Sequence, residues 1–580
     1  MLRVELKTTN YKIKVRNWRP KILLFFLFII AAIIIVRLFY IQVLNKKYYS
    51  AIALGQQTGF QEVQGNRGEI FFENSKETKG AKASGEMKSL AINKEKWLVS
   101  AVPKNIKDKD EFAEVLSLTI KESKEWVISK LGESDSYVVI KKDLSQEDAD
   151  QLKKLKLQGL SFESTPERYY PQESLASQVV GFLGGDGIGQ YGIEGFYEDI
   201  LKGKKGIKEE RKGLDLISSN NSDNFLNGSD LYLTIDYNIQ FQAEALLLEA
   251  KKNIDIDSGQ IIVLKPDFGR VLALANFPSF NPNEYSKQKD FDIFQNSATQ
   301  KLFEPGSVFK PFTMAMALQE GKVSPETTFV DTGSFTIGPD TIHNFDRKKY
   351  GKQTMSGILE KSINTGAVFL SQTINHQTFL DYLDKFGFAD QTEIDVQGEV
   401  YSNNNILRNG SDFGFATASF GQGIQMTPIQ LAGAFCIFAN GGKIVKPYIV
   451  EKIVHGQDEV FINPEVSGSV ISQNTASQVT TMLTNVVERG FGDIAKIPGY
   501  YLAGKTGTAE VPFENKKGYY TDRTIQSFIG FGPALKPQFL ILVKLDNPKV
   551  TKSALSATPI FKKLAQYIIN YWQIPPDYTN

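Results

Sequence analysis

The chain has 580 residues, more than one compact core organises, so two or more domains are expected. Its 42% apolar and 23% charged residues exclude wholesale disorder, and a net charge of +1 leaves no cationic excess for binding nucleic acid. A single cysteine, Cys436, excludes an intrachain disulfide. His343, His376 and His455 lack the spacing of metal ligands, so no metal or other cofactor is expected.

The chain opens on a basic stretch: Arg3, Lys7, Lys12, Lys14, Arg16, Arg19 and Lys21 stand against Glu5 alone. An unbroken apolar run follows at 22–36, and apolar character continues past Arg37 to Leu44. About 20 residues span a bilayer, with Arg37 able to reach the interface, so 22–44 is predicted as an uncleaved anchor. The charge bias puts residues 1–21 in the cytoplasm and everything after Leu44 outside. Cleavage after a small-residue site at Ala51-Ile52-Ala53 is the competing reading, and the length of the run argues against it.

Residues 45–232 read as a mixed module. Within it, 74–89 is a polar exposed loop, 144–157 a solvated helix, and 181–195 a set of glycine turns. The polar stretch 220–228 marks its end. A second module, 233–576, begins with a helix at 237–252 and a hairpin of Ile261-Ile262-Val263-Leu264 with Val271-Leu272-Ala273-Leu274. It closes with strands at 524–531 and 539–545 and an amphipathic helix at 558–572. Strands at both ends with helices between predict an α+β layered fold whose sheet pairs early with late strands.

Three motifs carry chemistry. Ser307-Val308-Phe309-Lys310 follows Glu304-Pro305-Gly306 and opens an apolar run to Leu318 that should be a buried helix. A second Ser-x-x-Lys, Ser286-Lys287-Gln288-Lys289, lies in a charged surface stretch and is set aside. Ser307 at a helix start faces the positive end of the dipole, and Lys310 follows one turn later on the same face. For Lys310 to act as a base its pKa must fall from about 10.4 to about 7, which takes about 4 kcal/mol of desolvation and like-charge repulsion. Lys505 is the candidate second cation. The bland alternative is a capping serine and a surface lysine.

Ser362-Ile363-Asn364 is a weak pattern that recurs at Ser218-Ser219-Asn220 and Ser472-Gln473-Asn474. In the functional reading Ser362 relays a proton to a leaving amine while Asn364 orients the lysine and the substrate amide. In the other, both are helix caps. Lys505-Thr506-Gly507-Thr508 occurs once. Gly504 and Gly507 are expected to leave a strand face bare for a substrate backbone added as a strand. Lys505 and the hydroxyls of Thr506 and Thr508 suit a carboxylate, and the backbone amides of Ser307 and Thr508 suit an oxyanion hole. A simple hairpin turn is the alternative.

These residues resemble the penicillin-recognising serine transpeptidases. The similarity extends to Gly269-Arg270-Val271-Leu272-Ala273, Pro278-Ser279-Phe280-Asn281-Pro282, Phe303-Glu304-Pro305-Gly306 and Phe420-Gly421-Gln422-Gly423. The first module carries Arg67-Gly68-Glu69-Ile70, Arg168-Tyr169-Tyr170-Pro171 and Gly192-Ile193-Glu194-Gly195, which resemble the pedestal of the monofunctional class B members. The bifunctional class A branch needs a glycosyltransferase motif with histidine, and every histidine here lies after residue 340.

The resemblance implies a penicillin-recognising fold with a pedestal (dimerisation-type) domain and one transmembrane helix, in a bacterial cell membrane with the catalytic domain outside. It implies D,D-transpeptidation of peptidoglycan: Ser307 attacks the D-Ala-D-Ala amide of a stem peptide, D-alanine leaves, and a neighbouring amine resolves the acyl-enzyme. β-Lactams would acylate the same serine, and a SEDS-type glycosyltransferase would be a partner alongside other cell-wall synthesis proteins. The Phe-Glu-Pro-Gly-Ser entry looks more like the septal than the elongation branch. A carboxypeptidase or β-lactamase, or a non-catalytic penicillin-binding scaffold, are the competing functions.

Overall fold

The computed structural model describes residues 19–40, 60–73, 88–209, 226–345, 347–408, 410–513 and 518–578. The chain divides into two compact units, Met1–Gly65 with Gly203–Asn227, and Asn66–Lys202 with Gly228–Asn580. In the first, Arg19–Phe39 is helical, and the strands Phe60–Gln64 and Lys205–Glu209 pair antiparallel. The expected anchor therefore falls partly on this helix and partly on residues 41–44, outside the described set. The apolar stretch between Lys21 and Arg37 covers 22–36, about 23 Å of helix against a hydrocarbon core of about 30 Å. Among the described residues no helix is long and apolar enough to cross a membrane. The expected loop at 74–89 lies almost wholly outside the described residues, as does most of the expected boundary at 220–228.

In the second unit, the predicted helix at 144–157 is Gln146–Lys154, started by the Ser145 hydroxyl accepting from the Asp148 amide. It is shorter than its periodicity suggests because Val138–Leu144 is a strand. The glycine-rich stretch at 181–195 is a series of short pieces: strands at Phe182–Leu183 and Gly189–Gln190, then the helix Gly192–Phe196. The three pedestal motifs meet on one carboxylate. Glu194 is fully buried between Arg67 Nε (2.6 Å) and Arg168 Nε (2.7 Å), and it also accepts the Tyr170 hydroxyl at 3.2 Å. Asp230–Leu233, at the predicted junction of the modules, lies between Ile70–Phe71 and Val450–His455 in a seven-stranded sheet. Distant parts of the chain thus share one sheet.

The site is built on a different sheet. The helix α1, Tyr237–Ile254, is started by the Asp236 carboxylate and leads into the hairpin β1, Ser258–Leu264, and β2, Val271–Phe277. A 3₁₀ turn at Gly306–Phe309 passes directly into α2, Lys310–Gln319, followed by α3, Met355–Glu360, and α4, Asn364–Gln372. After α5, Gln473–Arg489, come β3, Ala503–Pro512, β4, Tyr519–Gly532, and β5, Phe539–Asp546; α6, Ala557–Tyr571, follows. The strands run antiparallel in the order β2-β1-β5-β4-β3, so early and late strands pair as predicted and β3 is the edge. Alternate residues face opposite layers. Ile261 and Val263 pack with Leu246, Phe561 and Leu564 of α1 and α6. Ile262 and Leu264 join the larger core that holds Phe309, Phe312 and Met314. β4 begins earlier than its apolar pattern indicates, because Tyr519 and its polar neighbours pair with the outer end of β3.

Candidate active site

Ser307 does not open the α-helix itself: it lies in the preceding 3₁₀ turn, and α2 starts at Lys310. Residues three apart eclipse one another in 3₁₀ geometry, so Ser307 and Lys310 still stack along one edge. Pro311 falls in the first turn of α2, where the missing amide has no helical partner anyway. Residues 310–318 are all buried, so α2 is a core helix carrying a lysine.

Lys310 is completely buried. Its Nζ donates to Ser362 O (2.6 Å) and Asn364 Oδ1 (2.7 Å) and stands 3.2 Å from Ser362 Oγ. Burial holds its pKa well below the usual lysine value, and the nearby charge of Lys505 lowers it further. Lys505, also fully buried, reaches the same hydroxyl from the other side. Its Nζ donates to Ser362 Oγ at 2.9 Å, to Thr506 O at 3.0 Å and to Thr506 Oγ1 at 3.3 Å, and burial lowers its pKa to about 7. A neutral Lys310 has two N–H bonds, and the two carbonyl acceptors use both. Its lone pair is then free to accept from a hydroxyl.

Ser362 is the hinge of this arrangement. Its φ of +53° is left-handed, a conformation that costs a non-glycine residue about 1 kcal/mol or more. Neither Ser362 nor Asn364 caps a helix: Ile363 holds the N-terminal position of α4 without a side-chain bond, and the Asn364 amide donates to His343 O at 3.0 Å. Of the other copies of the pattern, Ser472 caps α5 as a polar turn residue should, and Ser218-Ser219-Asn220 lies outside the described residues. Ser286 and Lys289 are both exposed.

Gly306, Ser307 and β3 approach closely. A Cβ on Gly507 would lie 2.8 Å from Val308 Cγ1 and 2.3 Å from Ser527 Oγ, and one on Gly504 would lie 2.7 Å from Phe528 Cζ. The expectation of a bare strand face for substrate is corrected here, because protein side chains fill that space. What remains open to an added strand is the outer edge of β3. A Cβ on Gly306 would sit 2.9 Å from Thr508 O, so that carbonyl points away from β4 toward the serine turn. In an antiparallel ladder both backbone groups of a residue face the same side, so the Thr508 amide also leaves β3 toward Ser307. Thr506 is buried against Lys505, while Thr508 is half-buried.

The structure also brings in residues that the motifs did not signal. Asp331 accepts from Thr365 Oγ1 (2.6 Å), the Tyr350 amide (2.7 Å), the Gly333 amide (2.9 Å) and Asn344 Nδ2 (3.0 Å). This ties the first turn of α4, and with it Asn364, to the 331–350 segment. No local pattern marks Asp331 or Asn344. Thr365 directly follows the Ser362-Ile363-Asn364 motif.

Residues 259–566 match the family described as the penicillin binding protein transpeptidase domain, and residues 63–233 match the penicillin-binding protein dimerisation domain. The chain belongs to the penicillin-binding protein transpeptidases, in their class B form. It is 31% identical to the stage V sporulation protein D of Bacillus subtilis (strain 168) over 92% of this chain and 82% of that one. It is 28% identical to a peptidoglycan D,D-transpeptidase FtsI homolog of Mesostigma viride, over 94% of each chain. Among solved structures, penicillin-binding protein 3 of Mycobacterium tuberculosis complexed with aztreonam superposes with a TM-score of 0.68. The pair is 26% identical, covering 89% of this chain and 98% of that one.

Proposed function

We propose that this chain is a serine-type peptidoglycan D,D-transpeptidase in which Ser307 is the nucleophile, Lys310 its base, Ser362 the proton relay and Lys505 the second cation. The observation that carries the reading is the Ser362 hydroxyl held between two buried lysines, the first of which follows directly on the turn that carries Ser307. Ser307 Oγ attacks the carbonyl of the penultimate D-alanine, and its proton passes to the lone pair of Lys310. The Thr508 and Ser307 amides stabilise the oxyanion. Collapse of the tetrahedral adduct breaks the amide bond, and the leaving amine of D-alanine takes its proton through Ser362. Lys310 returns its proton to that hydroxyl, and Lys505, on its other side, keeps its own and supplies positive charge for the terminal carboxylate with Thr506 and Thr508. Asn364 fixes Lys310 and presents its edge to the substrate amide. An amine from a second stem peptide then attacks the acyl-enzyme by the reverse proton path. β-Lactams enter the same first step.

The test is to incubate the full chain in detergent with a labelled penicillin and map the adduct by mass spectrometry. A long-lived adduct on Ser307, absent from Ser307→Ala, is expected. Rapid turnover would point to a β-lactamase, and no adduct at all to a scaffold.

The same reading gives residues 1–21 as a cytoplasmic tail, 22–44 as a single-pass anchor, 45–232 as the pedestal and 233–576 as the transpeptidase domain, outside a bacterial cell membrane. The basic flank and the apolar run to Leu44 support the anchor, with Arg37 reaching the interface. The anchor and pedestal would engage a SEDS-type glycosyltransferase. The septal role, with elongation as the alternative, is supported by the Phe-Glu-Pro-Gly-Ser entry and by similarity to the FtsI homolog. A reporter fused after Asn580 that proves active only inside the cell would overturn this topology.

A further inference from the structure

Three backbone segments converge on the serine turn. Phe303 and Met426 exchange amide bonds at 2.9 and 3.1 Å, and the Gly306 amide donates to Gly421 O at 3.0 Å. On the other side, Gly306 and Gly507 bring the turn against β3 with no room for a methyl group. One side chain links the turn to both neighbours. Glu304, three residues before Ser307, is 6% exposed; its carboxyl faces the Gly423 amide and accepts the Tyr519 hydroxyl, with Oε2 at 3.2 Å and Oε1 at 3.4 Å. Tyr519 opens β4 opposite Pro512, at the outer end of the hairpin that β3 forms with β4.

A buried carboxyl held, among the described residues, by neutral donors is an expensive way to join two segments. Among the described residues no cation pairs with Glu304. The charged group that faces it from β3 is Glu510, and the titratable group from β4 is Tyr519. Burial and the Glu510 charge raise its pKa to about 7. As a carboxylate it satisfies both donors. On protonation the carboxyl can still bond both neighbours, but its bond to the Tyr519 hydroxyl loses the charge that strengthens it.

We propose that Glu304 is a positioning residue for acylation: by accepting the Tyr519 hydroxyl it holds the outer end of the β3–β4 hairpin against the segment that carries Ser307. The substrate-facing edge of β3, and with it the Thr508 amide, is thereby kept at a fixed distance from the nucleophile. This rests on Ser307 being the acylated residue.

The test uses the full chain in detergent and a fluorescent penicillin, with stopped-flow separation of the binding constant from the acylation rate constant. Tyr519→Phe should acylate about tenfold more slowly at pH 8 with unchanged binding, as expected for one lost bond to a charged group. The ratio of parent to Tyr519→Phe rates should shrink toward one at pH 6. That ratio cancels the titration of Lys310 and Lys505, and a merely structural tyrosine would leave it independent of pH. Glu304→Gln should show no such pH-dependent ratio when combined with Tyr519→Phe, and the double variant should be no slower than the slower single. Parental rates for Tyr519→Phe at both pH values, or multiplicative effects in the double variant, overturn the proposal. Failure of the parent to acylate at all would instead remove the reading of Ser307 on which it stands.

Discussion

Lys310 and Lys505 meet at one oxygen: the Ser362 hydroxyl lies 3.2 Å from the first nitrogen and 2.9 Å from the second. Two full charges so close in a dry interior repel strongly, so the pair is set up to hold one proton rather than two. Ser362, with its left-handed backbone, places its hydroxyl between them.

Removing the base should leave an inert but folded enzyme. Lys310→Ala is expected to slow acylation by labelled penicillin by about 10²–10⁴-fold, the usual contribution of a positioned base. The thermal transition should persist, because the variant removes a buried polar group whose desolvation opposes folding. Acylation at the parental rate would exclude Lys310 as the base.

Stability should pass through a minimum near neutral pH. Lysines whose folded pKa lies below 10.5 have shed a proton that the unfolded chain still binds, so Lys505, at about 7, makes stability rise from about pH 7 toward 10.5, and Lys310, held well below the usual lysine value, adds to that rise. Glu73, Glu244 and Glu304, raised from 4.5 to about 7, do the reverse: the stability they contribute is present below pH 4.5 and lost as pH rises through 7. Calorimetry across pH 4.5 to 10 checks both limbs. Lys505→Met should flatten the upper one and Glu244→Gln the lower one.

The two glycines of β3 should differ in what they break. Gly504→Ala drives a methyl group into Phe528 and is expected to cost about 1–3 kcal/mol of stability. Gly507→Ala pushes against Val308, next to Ser307, so its acylation rate should fall further than its melting temperature explains. Equal loss of stability and rate in both would refute the distinction.

The pedestal depends on a single buried charge. Glu194→Gln leaves Arg67 and Arg168 facing an uncharged amide in a closed interior, and about 3–5 kcal/mol of stability should be lost. Arg67 keeps a second partner in Glu198 at 2.7 Å, so Arg67→Met should be the milder variant. Urea unfolding of the two variants in parallel measures the difference.

Much of this was readable from local pattern. The 3.6-residue period of 237–252 and the paired apolar runs after it became α1 and the β1–β2 hairpin, because burying one face of a helix or a strand is a short-range matter. The three motifs stood out for the same reason, since each places its polar groups within a few residues. One local reading failed where distant chain intruded: the space beside Gly504 and Gly507 is filled by Phe528 and Val308.

Residue types and their spacing thus sufficed to nominate a nucleophile, a base and an anion-binding strand. Whether Lys310 can be a base at all was a tertiary matter. Its low pKa comes from complete burial and from a second lysine 195 positions further along the chain, both meeting a serine 52 residues away from the first. Desolvation and charge repulsion act through space at a few ångströms, and no periodicity in the chain encodes them. Glu304 and Tyr519, 215 residues apart, are joined on the same terms.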